Sequence, residues 1–284
     1  MVELQKIKHF MHFLKNVRHY SVHTQKAYAR DLHKLGDFLV DEDIHNWDAV
    51  TAEQLNLFSM RLYHSGINPK SINRCMSSIR SFFKFLEHDI GKITTPKTTK
   101  KLPSILSCEQ FKLMAKPNSS DWLMLRNVAI IELLYSCGLR VSELVGLDIK
   151  DIDSDFLTVL GKGGKMRTTP IGAKSYQALN RYLKKYEHSN KAVFINQNGQ
   201  RLSVRWVQKM VKNRAQQVGI AFHVHPHMLR HAAATHFLQS SHDLRSVQAF
   251  LGHESIKSTQ VYTHLDFLEL SKVYDKCHPR AKKQ

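Results

Sequence analysis

The segment from His225 to Tyr262 constrains the fold most tightly, because it contains both a helix start and a helix end. Pro226 suits the first turn of a helix, where its missing N–H has no partner to lose. Gly252 suits the left-handed position that ends a helix. His227 and Arg230 are three residues apart, so they lie on one face of the helix that Pro226 begins.

The same segment carries side chains that suit a phosphodiester. The guanidinium of Arg230 can hold two phosphate oxygens in a bidentate fork. The imidazoles of His227 and His253 can move protons near neutral pH. The phenol of Tyr262 can become a covalent nucleophile when a base lies nearby.

The charge of the chain favours a polyanionic partner. The 284 residues include 42 Lys and Arg against 24 Asp and Glu, a formal net charge of +18. The excess is concentrated after residue 100, where 27 basic residues face 14 acidic ones. Such a balance is typical of nucleic-acid-binding proteins. Charge alone also fits a protein that is simply basic and soluble.

Membrane, disulfide and metal chemistry are not indicated. The chain lacks a long uncharged apolar run and an apolar signal core near Met1, so we expect a cytoplasmic protein without a membrane span. Its four cysteines are scattered and form no C-x-x-C pair. The alternating His223, His225 and His227 could suggest a metal cluster. They pass from extended chain into a helix, so we expect no metal site.

Residues 1–92 predict a small bundle of four amphipathic helices. Thr51 with Gln54 forms a capping box, and Asn68-Pro69 opens the last helix. Several basic residues lie on the polar faces, and each one singly is best explained as a solvated residue. Two of them, Arg74 and Arg80, are our candidates for contacts to DNA phosphates.

Residues 93–103 are rich in Thr, Lys and Pro, which predicts a linker. Residues 104–284 then form a second domain. In this domain the patterns predict a buried helix at 122–135, two short strands within 155–171, a strand at 192–195 and a helix at 204–218. The basic residues on the last helix are further candidates for DNA contacts: Arg205, Lys209, Lys212 and Arg214.

Two motifs in this second domain carry charged groups at turns. Gly138 permits a tight turn that can bring Arg140 to the surface beside Glu143, although an ordinary surface ion pair would look the same. The hairpin turn G-K-G-G-K at 161–165 has Lys162 at its tip and Lys165 and Arg167 beyond it. A phosphate-binding P-loop is not indicated, because the pattern G-x-x-x-x-G-K-[ST] is absent. A solvated basic hairpin tip is the other interpretation of this turn.

Five motifs occur in an order that resembles a known family. They are G-L-R-V-S-E-L at 138–144, G-K-G-G-K-M-R at 161–167, H-M-L-R-H at 227–231, L-G-H at 251–253 and Tyr262. This set resembles the signature of the tyrosine recombinases, also called the lambda-integrase family. Within that family it is most similar to the bacterial Xer recombinases, and the ending His278-Pro279-Arg280-Ala281 also resembles theirs.

The resemblance implies a mainly α fold with a small β-sheet. An N-terminal four-helix core-binding domain and a C-terminal α+β catalytic domain would form a C-shaped clamp on DNA. It also implies six catalytic residues, with Glu143 orienting them and no metal, ATP or other cofactor taking part: Arg140, Lys162, His227, Arg230, His253 and the nucleophile Tyr262. Lys165 and Arg167, which follow Lys162 in the motif, would be flanking contacts to DNA phosphates or grooves.

The resemblance further implies particular partners. These are double-stranded DNA, a tetramer of identical or related recombinases in the synaptic complex, and a septal DNA translocase as activator. The C-terminal tail would dock into a neighbouring protomer and close a ring. The implied role is the resolution of chromosome or plasmid dimers.

Three other functions share parts of this signature. A type IB topoisomerase uses similar side chains without synapsis, and strand exchange would distinguish it. A phage or mobile-element integrase usually carries an additional arm-binding N-terminal domain, which we do not find. A DNA-binding protein without catalysis would have lost catalytic positions, and all six are present here.

Overall fold

The computed structural model describes residues 4–97, 105–161, 164–185, 190–252, 273–274 and 277–280. The chain divides into two compact units, Met1–Leu102 and Pro103–Gln284. Each unit has a hydrophobic core of its own. The described residues are mostly helical with one two-stranded sheet, which confirms the predicted fold class.

The first unit contains the four predicted helices. Ser21 caps the second helix by accepting a hydrogen bond from the backbone N–H of Thr24 at 3.2 Å. The capping box of Thr51 and Gln54 begins the third, and Pro69 occupies the first turn of the fourth. The helices are α1 Leu4–Asn16, α2 Val22–Asp41, α3 Ala52–His64 and α4 Pro69–Phe85, with a 3₁₀ turn at Trp47–Ala49.

Aromatic side chains fill the centre of this unit. Phe82 of α4 packs edge-on against Phe10 at 5.3 Å and against Trp47 at 4.9 Å between ring centroids. All three are fully buried. Offset and edge-to-face ring pairs of this kind add to the free energy gained from burying apolar area. In residues 4–97 of this unit, packed helices alone therefore form a well-defined core.

One buried ion pair joins α2 to α4. The carboxylate of Asp31, whose side chain is 2% exposed, accepts hydrogen bonds from both terminal nitrogens of Arg74, one of them at 2.9 Å, and from Ser78 Oγ at 3.0 Å. The side chain of Arg74 is 44% exposed. Its guanidinium thus has an internal partner, and its contact to DNA phosphate stays a prediction.

The segment predicted as a linker begins on the first unit. Ile93 is buried in the first core, and its carbonyl accepts a hydrogen bond from Arg80 at 3.3 Å. The carbonyl of Pro96 accepts one from Asn73, also at 3.3 Å. Residues 93–96 therefore pack on the helical unit, so the connection starts later than the predicted residue 93.

The second unit is built around a long buried helix. Its helices are α5 Cys108–Ala115, α6 Trp122–Ser136, α7 Val141–Gly146, α8 Ala173–Lys185, α9 Val204–Gln217, α10 Pro226–Ser241 and α11 Leu244–Leu251. Strands β1 Phe156–Leu160 and β2 Met166–Pro170 pair antiparallel, and a 3₁₀ turn spans Ile149–Asp151. Helix α6 packs against α5, α7, α8 and α10, which explains its nearly continuous apolar sequence.

One predicted element is wrong. Residues 192–195 form isolated bridges, Ala192 with Asp148 and Ile195 with Arg201, instead of a strand in a ladder. Val193 and Phe194 are fully buried in the core. Periodicity in a short apolar run does not identify a strand, and here the residues form a buried loop.

In the described part of the chain, no helix is both long and apolar enough to cross a membrane.

We expect Asp31→Ala to destabilise the first unit by about 2–4 kcal/mol, because Arg74 and Ser78 lose their buried acceptor. Asp41→Ala is the matched control, since Asp41 pairs with Arg61 at 2.7 Å while both side chains are more than half exposed. That pair should contribute about 0–1 kcal/mol. Amide hydrogen exchange in α2 and α4 at increasing urea measures the loss in free energy of unfolding for both variants. Equal losses for Asp31→Ala and Asp41→Ala would contradict a special role for the buried ion pair.

Candidate active site

A buried carboxylate, that of Glu143, lies at the centre of the candidate site. Its side chain is 2% exposed. It accepts hydrogen bonds from Arg140 Nη1 at 2.7 Å and Arg167 Nη2 at 2.9 Å, and Arg230 Nη1 lies 3.8 Å away. Three arginines from separate parts of the sequence thus meet at one acid. We call these four side chains the arginine cluster.

The start of α7 places Arg140 and Glu143 together. Arg140 is the N-cap residue, and its backbone N–H donates to Glu143 Oε2 at 2.7 Å, so the acid also caps the helix. Gly138 precedes them with a φ of 55°, and a Cβ there would lie 2.8 Å from the ring of Phe250. This glycine therefore permits both the turn and the close approach of α11.

Arg230 projects from α10 into the same cluster and is buried. It donates hydrogen bonds to the carbonyl oxygens of Gly138 and Leu251. One guanidinium therefore joins the turn before α7 to the end of α11. The helix start predicted at Pro226 is confirmed, as is the left-handed helix end at Gly252, which has a φ of 59°.

Arg167 reaches the cluster from β2. Besides its bond to Glu143, its Nη1 donates to the carbonyl oxygen of Phe250 at 3.3 Å. Its side chain is only 15% exposed. The sequence suggested a contact to DNA for this residue, whereas the structure gives its guanidinium partners inside the protein. Local sequence patterns do not predict these contacts, because the partners of Arg167 are 24 and 83 residues away in the sequence.

The electrostatics of the cluster favour an added anion. Burial raises the pKa of Glu143, but hydrogen bonds and charge from Arg167 and Arg140 outweigh it and hold this pKa below its ordinary value. Burial lowers the pKa of Arg230 to about 10, helped by the positive charges of Arg140 and Arg167. Three guanidiniums surround one carboxylate, so the cluster carries excess positive charge that a phosphate can balance.

His227 lies at the start of α10, three residues before Arg230, and is exposed. Its ring centroid is 6.4 Å from that of His225. Burial lowers the pKa of His225, and the neighbouring His227 and His223 lower it further. Among the residues described, no group of three His, Cys, Asp or Glu side chains could hold a metal ion.

The other three predicted catalytic residues, Lys162, His253 and Tyr262, lie outside the described residues. The structure does fix the backbone beside two of them. Leu160 pairs with Met166 at the end of the β1–β2 ladder, and Lys162 lies between these two residues in the sequence. Gly252 ends α11 immediately before His253.

The candidate DNA contacts differ in their surroundings. Lys165, Arg205 and Lys209 are exposed, and Lys212 lies with Arg205 and Lys209 on one face of α9 at positions i, i+4 and i+7. Arg80 is also exposed. A DNA-facing position for Arg214, which the basic pattern of α9 suggests, is wrong. Arg214 is buried and donates to the carbonyl oxygens of Met114 and Lys116.

The described residues of the C-terminal tail pack on their own unit. Tyr274 donates to the carbonyl oxygen of Ser136 at 2.9 Å, and His278 stacks on the ring of Tyr274 at 4.5 Å between centroids. Arg280 forms an ion pair with the buried Glu132, with Nε 2.9 Å from Oε2. Docking of the tail into a neighbouring protomer stays a prediction.

Comparison with known families and proteins gives a consistent result. Residues 105–269 match the phage integrase family, and residues 7–89 match the phage integrase N-terminal SAM-like domain. Tyrosine recombinase XerC of Pseudomonas entomophila (strain L48) is 41% identical over 283 residues, which is 95% of this chain and 94% of that protein. XerC of Alcanivorax borkumensis is 40% identical over 298 residues, covering 99% and 96%.

Solved structures agree with the fold. XerH bound to its difH substrate in a pre-cleavage complex is 25% identical, with a TM-score of 0.68, covering 91% of this chain and 81% of that one. A lambda integrase dimer bound to a core site has a TM-score of 0.70 at 18% identity, covering 93% and 100%. The chain therefore belongs to the phage integrase family of tyrosine recombinases and is most like its Xer members.

Proposed function

We propose that this protein is a site-specific DNA recombinase that cuts and rejoins strands through a 3′-phosphotyrosine intermediate. The observation that carries the proposal is the arginine cluster, which holds Arg140 and Arg230 on one buried carboxylate. Both arginines stand at the family's phosphate-binding positions, in G-L-R and H-M-L-R-H. A site with this excess of positive charge is suited to a phosphate that gains charge in a transition state.

The reaction is a transesterification. The phenol oxygen of Tyr262 attacks the scissile phosphorus, and the bond to the 5′-oxygen breaks. His227 accepts the phenol proton, and Lys162 donates a proton to the leaving 5′-oxygen. Arg140, Arg230 and His253 hold the non-bridging oxygens. One phosphodiester replaces another, so a free 5′-hydroxyl of a second duplex can reverse the step without ATP.

The two units divide the work of binding DNA. Residues 1–92 would serve as the core-binding domain and 104–284 as the catalytic domain, joined by the connection within 93–103. The exposed basic face of α9, together with Lys165 and Arg80, would contact the duplex backbone. Such contacts fix position and supply much of the affinity without reading sequence.

The biological role we propose is the resolution of chromosome or plasmid dimers. The relatives at 40–41% identity over nearly the whole chain are named XerC, and the lambda integrase matches at 17–19% support the fold alone. Four protomers, identical or of two related kinds, would act on two duplexes, and a septal DNA translocase would activate them. Strand exchange between two duplexes separates this role from topoisomerase-like relaxation.

Covalent trapping tests the nucleophile. Wild type incubated with a nicked suicide substrate carrying a dimer-resolution site should give a protein–DNA band on a denaturing gel, because the cleaved end diffuses away. Tyr262→Phe removes the attacking oxygen and should give none while still binding the duplex. A covalent band from Tyr262→Phe would assign the nucleophile to another residue.

Arg230→Ala should lower the cleavage rate by about 10²–10³-fold, because the transition-state oxygens lose a hydrogen-bond donor. Duplex affinity should stay near that of wild type, since many other phosphate contacts supply it. Arg230→Lys keeps one charge and serves as a check on folding, because Ala leaves the carbonyls of Gly138 and Leu251 without their donor. Cleavage by Arg230→Ala at the wild-type rate would disprove the assigned role.

The double variant Arg205→Gln, Lys209→Gln should weaken binding to any duplex sequence. The slope of log affinity against log salt should fall by about 0.9 for each DNA phosphate that the variant no longer neutralises. The matched control is Arg181→Gln, Lys185→Gln, two exposed cations on α8 in the same unit. Equal slopes for both double variants would rule out a specific role for α9.

A further inference from the structure

We propose that Arg167 is a positioning residue, which aligns three separate parts of the recombination site before DNA binds. The proposal rests on the function proposed above and deepens it. The parts are the Arg140–Glu143 helix cap, the end of α11 before His253, and the hairpin that carries Lys162. Arg167 would act through these neighbours and would not itself touch the reacting phosphate.

The first connection is to the helix cap. Arg167 Nη2 and the backbone N–H of Arg140 donate to the same oxygen of Glu143, at 2.9 and 2.7 Å. The side chain of Arg140 donates to the other oxygen at 2.7 Å. The orientation of the carboxylate that fixes Arg140 therefore depends on Arg167. The hydrogen bond and charge of Arg167 are also foremost among the influences that lower the pKa of Glu143 against the effect of burial.

The second connection is to the end of α11. Arg167 Nη1 donates to the carbonyl oxygen of Phe250 at 3.3 Å, while Arg230 donates to that of the next residue, Leu251. A Cβ at Gly252 would lie only 2.7 Å from Arg167 Cδ, so the backbone of the helix end rests directly on this side chain. Two guanidiniums thus hold the last turn from which the chain continues to His253.

The third connection is through the sheet. Arg167 pairs with Val159 in the antiparallel register, next to the pair of Leu160 and Met166 that precedes the turn. An anchored side chain at this position fixes β2 against α7 and α11. It therefore fixes the strand ends, Leu160 and Met166, between which Lys162 lies in the sequence.

A guanidinium suits this role better than an ammonium. Arg167 bonds two acceptors on different elements, Glu143 and Phe250, with two nitrogens set at a fixed angle. A lysine could satisfy the carboxylate but would not reproduce the fork. Charge and geometry can therefore be separated by comparing Arg167→Gln with Arg167→Lys.

Single-turnover cleavage of the suicide substrate tests the proposal. Arg167→Gln should cleave about 100-fold more slowly, because small misplacements of catalytic groups cost this much. Its affinity for the duplex should stay within about twofold of wild type, since a single interior arginine adds little to the many phosphate contacts. The acid limb of its pH–rate profile should move to higher pH, because Glu143 loses a partner that lowers its pKa. Arg167→Lys should restore the acid limb while cleavage stays slow.

Arg181→Gln removes one exposed positive charge from α8 of the same unit and should match wild type. A parallel fall in affinity and cleavage for Arg167→Gln would make Arg167 a DNA contact and overturn the proposal. Cleavage by Arg167→Gln at the wild-type rate would also overturn it.

A measurement without DNA keeps this inference separate from the proposed function. Amide hydrogen exchange in the last turn of α11 and in β2 should be faster in Arg167→Gln than in wild type or Arg181→Gln. If wild type formed no covalent complex but exchange changed as expected, the recombinase function would fail while the positioning role would stand. Unchanged exchange would refute the positioning role itself.

Discussion

The site depends on the ion pairs of one buried acid, Glu143. Placing this carboxylate away from water is costly unless charged donors surround it, and Arg140 and Arg167 supply hydrogen bonds to both of its oxygens. The acid in turn holds cations that would otherwise repel one another. Under the proposed function, Arg140 and Arg230 would thereby be in place before a phosphate arrives, and little reorganisation would be left for the reaction to drive.

Backbone geometry makes this arrangement rigid. Arg230 donates to the carbonyl oxygens of Gly138 and Leu251, and Arg167 donates to that of Phe250 as well as to the acid. Carbonyls at helix ends have no partner within the helix, so the guanidiniums satisfy groups that need a donor. Gly138 and Gly252 both adopt positive φ values, and a Cβ at either would collide with a neighbour. The two glycines of the motifs are therefore part of the packing that aligns the arginines.

Local signals predicted most helices and the charged motifs, because capping residues and apolar periodicity act over a few residues. Thr51 with Gln54, Pro226 and Gly252 all behave as the sequence indicated. Long-range pairs could not be read in this way. Arg74 with Asp31, Arg214 with two carbonyls and Arg280 with Glu132 are internal contacts, although each arginine also fits a basic surface. The strand predicted at 192–195 is wrong for a different reason. A buried segment outside a sheet has the same apolar composition as a buried strand.

Internal hydrogen bonds and ion pairs also determine which arginines are available to contact DNA. An arginine whose fork is satisfied inside the protein gains less from a phosphate than one that is exposed, because its internal bonds must first be broken. By this criterion we expect Arg205 and Lys209 to be better DNA contacts than Arg74 or Arg167. Arg230 differs from both groups, because neighbouring cations and burial lower its pKa to about 10. A bound phosphate would supply the missing negative charge and raise that pKa again. The positive charge of the cluster therefore favours the binding of an anion, which under the proposed function would be the scissile phosphate.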